Sequence, residues 1–225
     1  AIIARGEYLV FGPAHCATCH VPMDKIKDVE NGSKMPLIGG WEVDIPPMTL
    51  RAVNLTPDKN TGIGNRTDGE LARTIWHGIT HDGRFLPPVM PYGQMSDEDL
   101  QAIISYLRSQ PAVENKVEPS SYKFLGKALL AFGVLKPQNQ DYVPAQKVSN
   151  DNPVIYGEYL AKGVANCMGC HTATDLMSGQ FTVPPFAGGF LFEPDAFSQG
   201  YAYVSPNLTP DKETGIMTHW TEETF

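Results

Sequence analysis

Cys16-Ala-Thr-Cys19-His20 and Cys167-Met-Gly-Cys170-His171 place all four cysteines of this 225-residue chain in two copies of one pattern. Cys-x-x-Cys-His is the attachment signature of c-type haem. The two thiols add to the vinyl groups of the porphyrin. Two intervening residues set both sulfurs at the ring edge, and the next residue brings its imidazole to the iron. One match could be accident, but two matches with no cysteine left over point to a chain that holds two covalently attached haem c groups.

Other uses of paired cysteines fit less well. Four-thiolate zinc sites also employ Cys-x-x-Cys, but they do not require a histidine after both second cysteines. A thioredoxin-like redox pair would not normally occur twice. Structural disulfides need an oxidising compartment, and pairs at this spacing make poor staples.

The 42% hydrophobic content supports real cores, and 225 residues suffice for two small domains. No run of about 20 apolar residues occurs, so no transmembrane segment is expected. That leaves peripheral membrane association open. The chain begins Ala1-Ile2-Ile3 without a basic or apolar leader, as expected after removal of a secretory signal. Haem attachment of this type takes place outside the cytoplasm, so a periplasmic or otherwise extracytoplasmic location is expected. A formal charge of −8, made more negative by haem propionates, argues against nucleic acid and allows docking to a basic protein surface.

Aligning the two motifs brings further segments into register. Tyr8-Leu-Val-Phe-Gly12 resembles Tyr159-Leu-Ala-Lys-Gly163, and Pro36-Leu-Ile-Gly-Gly40 matches Pro185-Phe-Ala-Gly-Gly189. Asn54-Leu-Thr-Pro-Asp-Lys-Asn-Thr-Gly-Ile63 repeats as Asn207-Leu-Thr-Pro-Asp-Lys-Glu-Thr-Gly-Ile216. The chain therefore reads as a duplicated, mostly α unit: residues 1–110, a connector over 111–153, and a second copy over 154–225. In the first copy, residues 4–12 predict a short helix, and the Gly- and Pro-rich stretch 22–66 predicts loops around a cofactor. Thr67-Asp-Gly-Glu70 has the form of a capping box before Leu71, Ile75 and Trp76. Ser96-Asp-Glu-Asp99 opens a helix with Leu100, Ile103, Ile104 and Leu107 at helical spacing.

In the connector, Phe124–Leu135 predicts an apolar helix buried between the two copies, with a surface anchor as the alternative. Pro111, Pro119, Pro137, Pro144 and Pro153 predict extended linker around it. The second copy reaches Trp220-Thr-Glu-Glu-Thr-Phe225, which matches the opening of the helix at Thr67. Counterparts of residues 72–110 are not in it, so it is expected to be incomplete at its C-terminus.

His20 and His171 are the expected proximal ligands. Each needs its second ring nitrogen fixed by a hydrogen bond, and the matching Pro36 and Pro185 are candidate carbonyl sources. For the sixth position of the first iron, Met90 leads. It lies in the proline-stiffened Leu86-Pro-Pro-Val-Met90-Pro-Tyr92, where fixed φ angles lower the entropy lost in holding a loop. Met95 is next, then Met48, Met35 and Met23. His77 and His81 stand four apart, a spacing that binds metal on an unbroken helix, although Gly78 and Asp82-Gly83 predict that the helix ends there. Met217 and His219 are available near the second iron but match positions ahead of the ligand loop.

Taken together, these elements resemble class I cytochrome c domains, and more narrowly the multihaem cytochrome c subunits of membrane-bound alcohol, gluconate and aldehyde dehydrogenases. The resemblance implies two tandem cytochrome c domains, His20 with Met90 at the first iron, and His171 with a methionine beyond residue 225 at the second. It places Asn54 and Asn207 along the haem crevice, although Asn, Asp, Pro and Gly are also the ordinary turn residues. It further implies a non-enzymatic electron carrier, with electrons passing from a dehydrogenase or cytochrome donor, haem to haem, to an oxidase or to a small cytochrome or copper carrier. The alternative is a dihaem peroxidase, which needs one exchangeable iron site.

Overall fold

The computed structural model describes residues 1–86, 89–135, 143–175, 180–194 and 200–224, and these form two compact units, Ala1–Ala165 and Asn166–Phe225. Pro87, Pro88 and Pro137, read above as loop-stiffening or linker prolines, lie outside the described residues, as does Phe225. The architecture is helix-rich with some sheet.

In the first unit α1 (Ile2–Phe11) packs along α5 (Asp97–Ser109). Their axes approach closely because Gly6 has no side chain: a Cβ there would lie 1.9 Å from the Ala102 carbonyl oxygen. Leu9 and Val10 from α1 meet Leu100, Ile103, Ile104 and Leu107 from α5, all buried. Full burial of such side chains is worth roughly 1.5–3 kcal/mol each, so this pair is the spine of the unit. Ser96 caps α5 by accepting from the Asp99 N–H, and three acidic residues in its first turn suit the helix dipole.

The haem-motif helix α2 (Cys16–His20) follows α1 directly, and a 3₁₀ turn (Met23–Lys25) leads into α3 (Ile26–Glu30). The region expected to be loop also contains a hairpin, β1 (Glu42–Ile45) with β2 (Met48–Arg51), joined at Pro46-Pro47. Four-residue strands beside two prolines give no clear alternation in sequence. α4 (Asp68–His77) opens on the expected capping box: the Thr67 hydroxyl accepts from the Glu70 N–H, and the Glu70 carboxylate accepts from the Thr67 N–H at 2.7 Å. It ends at His77, with Gly78 in the left-handed conformation, so His81 falls beyond the helix and the two histidines share no helical face.

Residues 111–123 are strapped to the first copy. β3 (Ser121–Tyr122) pairs antiparallel with β2 and completes a three-stranded sheet. Asn115 Nδ2 donates to the Ile38 carbonyl, and the Arg51 N–H donates to Ser120 Oγ. α6 (Phe124–Ala131) is shorter than its apolar sequence predicts, and it is not buried: Phe124 and Phe132 are 89% and 85% exposed. Its contact with the sheet is made through Gly126 at the Pro47 carbonyl, and Phe124, Leu125 and Phe132 stay exposed.

α7 (Pro153–Tyr159), the repeat counterpart of α1, belongs to the first unit. Tyr159 donates to Asp99 Oδ2 and its hydroxyl accepts from the Ser96 N–H, while Arg5 binds both oxygens of Asp99 and donates to the Tyr156 hydroxyl. The second unit holds α8 (Cys167–Cys170), the two-stranded hairpin β4 (Leu191–Phe192) with β5 (Tyr203–Val204), and a 3₁₀ turn over Ile216–His219.

Candidate haem-attachment sites

Both Cys-x-x-Cys-His segments begin in the same way. The residue before the first cysteine, His15 or Asn166, adopts a left-handed conformation with φ of 52° or 51°, a region that Asn and His enter more readily than most residues. The chain then turns into a single helical turn. In the first copy this puts Cys16 and Cys19 on one short helix, half-buried and not disulfide-bonded. Burial pushes the Cys16 thiol up to about 12 and raises that of Cys19, so both are neutral S–H groups.

His20 is buried, and its Nδ1 lies 2.7 Å from the Val53 carbonyl oxygen. A carbonyl can only accept, so Nδ1 carries the hydrogen and Nε2 keeps its lone pair. Burial lowers the His20 pKa against the opposing pull of that hydrogen bond, which favours the neutral imidazole a metal needs. In the second copy His171 Nδ1 lies 2.9 Å from the Pro206 carbonyl. Val53 and Pro206 occupy matching places, each directly before the asparagine of the Asn-Leu-Thr-Pro-Asp repeat. The orienting carbonyls therefore come from Val53 and Pro206 and not from Pro36 and Pro185, because the Gly-Gly turns that follow those prolines serve a different purpose.

That purpose is to bring the segment before the asparagine to the histidine. The Gly39 N–H donates to the His20 carbonyl at 2.8 Å, and the Gly188 N–H donates to the His171 carbonyl at 2.8 Å. Gly39 and Gly188 have φ of 80° and 74°. A Cβ on Gly39 would lie 2.4 Å from the Ala52 oxygen, and one on Gly188 would lie 2.6 Å from the Pro206 carbonyl carbon. Only glycine tolerates both the sign of φ and the approach. The neighbouring bonds repeat as well: Leu55 N to Leu37 O, and Leu208 N to Phe186 O, each at 2.8 Å.

Asn54 is buried with a full set of protein partners. Its Oδ1 accepts from the N–H and hydroxyl of Thr56, and its Nδ2 donates to Thr61 Oγ1 and to the Val113 carbonyl. Asn207 is held in the same way, with Thr209 N–H on its Oδ1 and Thr214 Oγ1 accepting from Nδ2. Asp58 and Asp211 each close the following turn, their Oδ1 accepting from both the N–H and the hydroxyl of Thr61 or Thr214.

The methionines separate by environment. Met95 is fully buried in the helical core, Met48 is buried in β2, and Met90 is half-buried in the loop ahead of α5. Two side chains tie that loop down, and neither was legible as functional in the sequence. Trp76 Nε1 donates to the Met95 carbonyl at 3.0 Å, and the Tyr92 hydroxyl donates to the Ala14 carbonyl, two residues before Cys16. Burial, then the nearby Cys16 and Cys19, pushes Tyr92 well above the usual tyrosine range. His77 Nδ1 is buried without a hydrogen-bond partner among the described residues. The second site is more open: His171 is half-buried, Cys170 is exposed, and Met217 and His219 sit on the exposed 3₁₀ turn.

The donor set fits a covalently attached haem: two neutral thiols on one helical turn, and an imidazole whose free nitrogen is Nε2. The cytochrome c family profile matches residues 3–111. Residues 3–111 belong to the cytochrome c family. A domain of this family implies covalently bound haem c, with Cys16, Cys19 and His20 the residues of this cytochrome domain that would hold it. The gluconate 2-dehydrogenase cytochrome c subunit of Pantoea cypripedii is 30% identical, aligned over 99% of this chain and 49% of its own length. The cytochrome c subunit of the quinone alcohol dehydrogenase of Gluconacetobacter polyoxogenes is also 30% identical, over 99% and 46% respectively. A dihaem c-type cytochrome of Cereibacter sphaeroides is 26% identical over 93% of this chain and 68% of its own. The chain thus spans about half the length of the two dehydrogenase subunits, and the similarity runs past residue 111 into the second repeat. None of these three relatives is named a peroxidase.

Proposed function

We propose that this chain is the electron-transferring part of a dihaem cytochrome c subunit that serves a dehydrogenase complex. The observation that carries the reading is the duplicated histidine environment, His20 on the Val53 carbonyl and His171 on the Pro206 carbonyl. A second copy with no cofactor to orient would have no reason to keep the same backbone bond. When bound, haem supplies an iron that gains and loses one electron. The residues supply the rest: thioether anchors at Cys16, Cys19, Cys167 and Cys170, fixed imidazoles at His20 and His171, and a half-buried thioether at Met90 for the first iron.

In this reading the chain comprises two tandem cytochrome c domains. Donor and acceptor are redox proteins: a dehydrogenase subunit on one side, an oxidase or small carrier on the other, all outside the cytoplasm. Among the described residues no helix is long and apolar enough to cross a membrane.

Stopped-flow mixing tests this reading against peroxidase chemistry. The ascorbate-reduced holoprotein is mixed either with an oxidised small cytochrome c or with hydrogen peroxide. Fast reoxidation by the cytochrome and slow reoxidation by peroxide is expected. Catalytic consumption of peroxide faster than exchange with the cytochrome would overturn it.

A further inference from the structure

Between α4 and α5 the chain must bring Met90 to the haem crevice and then enter the core at Met95. Local backbone bonds shape the bend: the Tyr92 N–H donates to the Met90 carbonyl and the Met95 N–H to the Tyr92 carbonyl, both at 2.9 Å. Such bonds set the curvature of a loop but do not say where it lies. Its location is set by the two side-chain ties, Trp76 to Met95 and Tyr92 to Ala14. The Trp76 tie is five residues from Met90 and holds the entrance to α5. The Tyr92 tie is two residues away, and it reaches across 78 positions of sequence to the turn that launches Cys16.

We propose that Tyr92 is a positioning residue for the axial methionine: its hydroxyl, bound to the Ala14 carbonyl, straps the Met90 loop to the haem-attachment turn. The proposal rests on the reading of Met90 as the sixth ligand of the first iron. The Ala14 carbonyl also faces the Cys16 thiol, 3.8 Å from Sγ. Once Cys16 is a thioether it has no S–H to donate, and the Tyr92 hydroxyl remains as the donor to that carbonyl. Attachment of the cofactor and closure of the ligand loop therefore converge on one oxygen atom. The tyrosine ring also packs against the core, so phenylalanine keeps the packing and removes only the strap.

The test uses the full holoprotein and follows the far-red methionine–iron charge-transfer band of the ferric form during cyanide addition, a signal that only a methionine-ligated haem gives. In Tyr92→Phe the band should be present but lost about tenfold faster than in wild type, the weight of one hydrogen bond. Its loss on raising pH should also shift to lower pH. Met90→Ala should lack the first haem's share of the band from the start. If Tyr92→Phe lowers the melting temperature yet leaves the cyanide rate and the pH midpoint unchanged, the residue is only structural and the strap is overturned. If instead the band keeps its full strength in Met90→Ala, the ligand assignment falls, and the strap falls with it.

Discussion

The Nδ1 atom of His20 sits 2.7 Å from the carbonyl oxygen of Val53, and that one bond ties the haem-motif helix to the loop carrying Asn54. It needs Gly39, whose N–H holds the His20 carbonyl while its α-carbon lies against Ala52 and Val53. Gly39→Ala would force a Cβ to 2.4 Å from the Ala52 oxygen at a φ of 80°. The expected cost is about 1–3 kcal/mol, with a poorly oriented imidazole in addition. Thermal melts of the holoprotein should show the loss, and haem incorporation should fall alongside. The matching Gly188→Ala should affect the second site in the same way.

The two copies differ sharply at the helix crossing. Gly6 lies under the Ala102 carbonyl, whereas a Cβ added to its counterpart Gly157 would meet no other element within 4 Å. In this chain Gly6→Ala should cost about 1–3 kcal/mol through overpacking. Gly157→Ala should be neutral or stabilising by up to about 1 kcal/mol, since alanine is the better helix former. Paired denaturant titrations would read both, and equal losses would show that the two glycines are not distinguished by their neighbours.

Asp99 is buried and accepts from Arg5 twice and from Tyr159 once. Its hydrogen bond with Asp99 raises the Arg5 pKa, so the guanidinium stays charged throughout. Asp99→Ala should cost about 1–3 kcal/mol, because it takes the shared acceptor from the Arg5 and Tyr159 donors. Tyr159→Phe should cost about 1 kcal/mol and release α7, visible as faster amide exchange over residues 153–165.

Asp58 has its pKa lowered below 3.8 by the Thr61 backbone N–H, then the Thr61 hydroxyl, against a smaller effect of burial. A depressed carboxylate stabilises the fold at pH values above its unfolded pKa, and that contribution is lost as pH falls through the folded value. Asp58→Asn should therefore lower stability at pH 7, yet lose less than wild type between about pH 4 and pH 2. Melting temperatures taken across that window check the sign.

Much of this was legible in sequence because it is written in side chains. The Cys-x-x-Cys-His motifs, the Asn-Leu-Thr-Pro-Asp repeats and the caps at Thr67 and Ser96 each put a specific residue type at a fixed offset. The carbonyls of Val53 and Pro206 carry no such mark, since any residue has a carbonyl. The only clue was that both precede the repeated asparagine. The hairpin at residues 42–51 was hidden by its shortness and by Pro46-Pro47. Composition could not reveal that α6 keeps Phe124 and Phe132 in solvent, because it reports apolar content and not the presence of a partner. Trp76 reads as one of the apolar residues of α4 and Tyr92 as the end of the Met90 loop, and nothing in either side chain's type points to the hydrogen bonds with the Met95 and Ala14 carbonyls.

The most direct test of the account is the intact mass of the holoprotein under denaturing conditions, after expression with haem-attachment machinery in an oxidising compartment. The chain should carry two haem masses that denaturation does not remove, falling to one in Cys167→Ala/Cys170→Ala. A wild-type chain with one haem or none would contradict the reading of the second Cys-x-x-Cys-His as an attachment site, and with it the dihaem carrier.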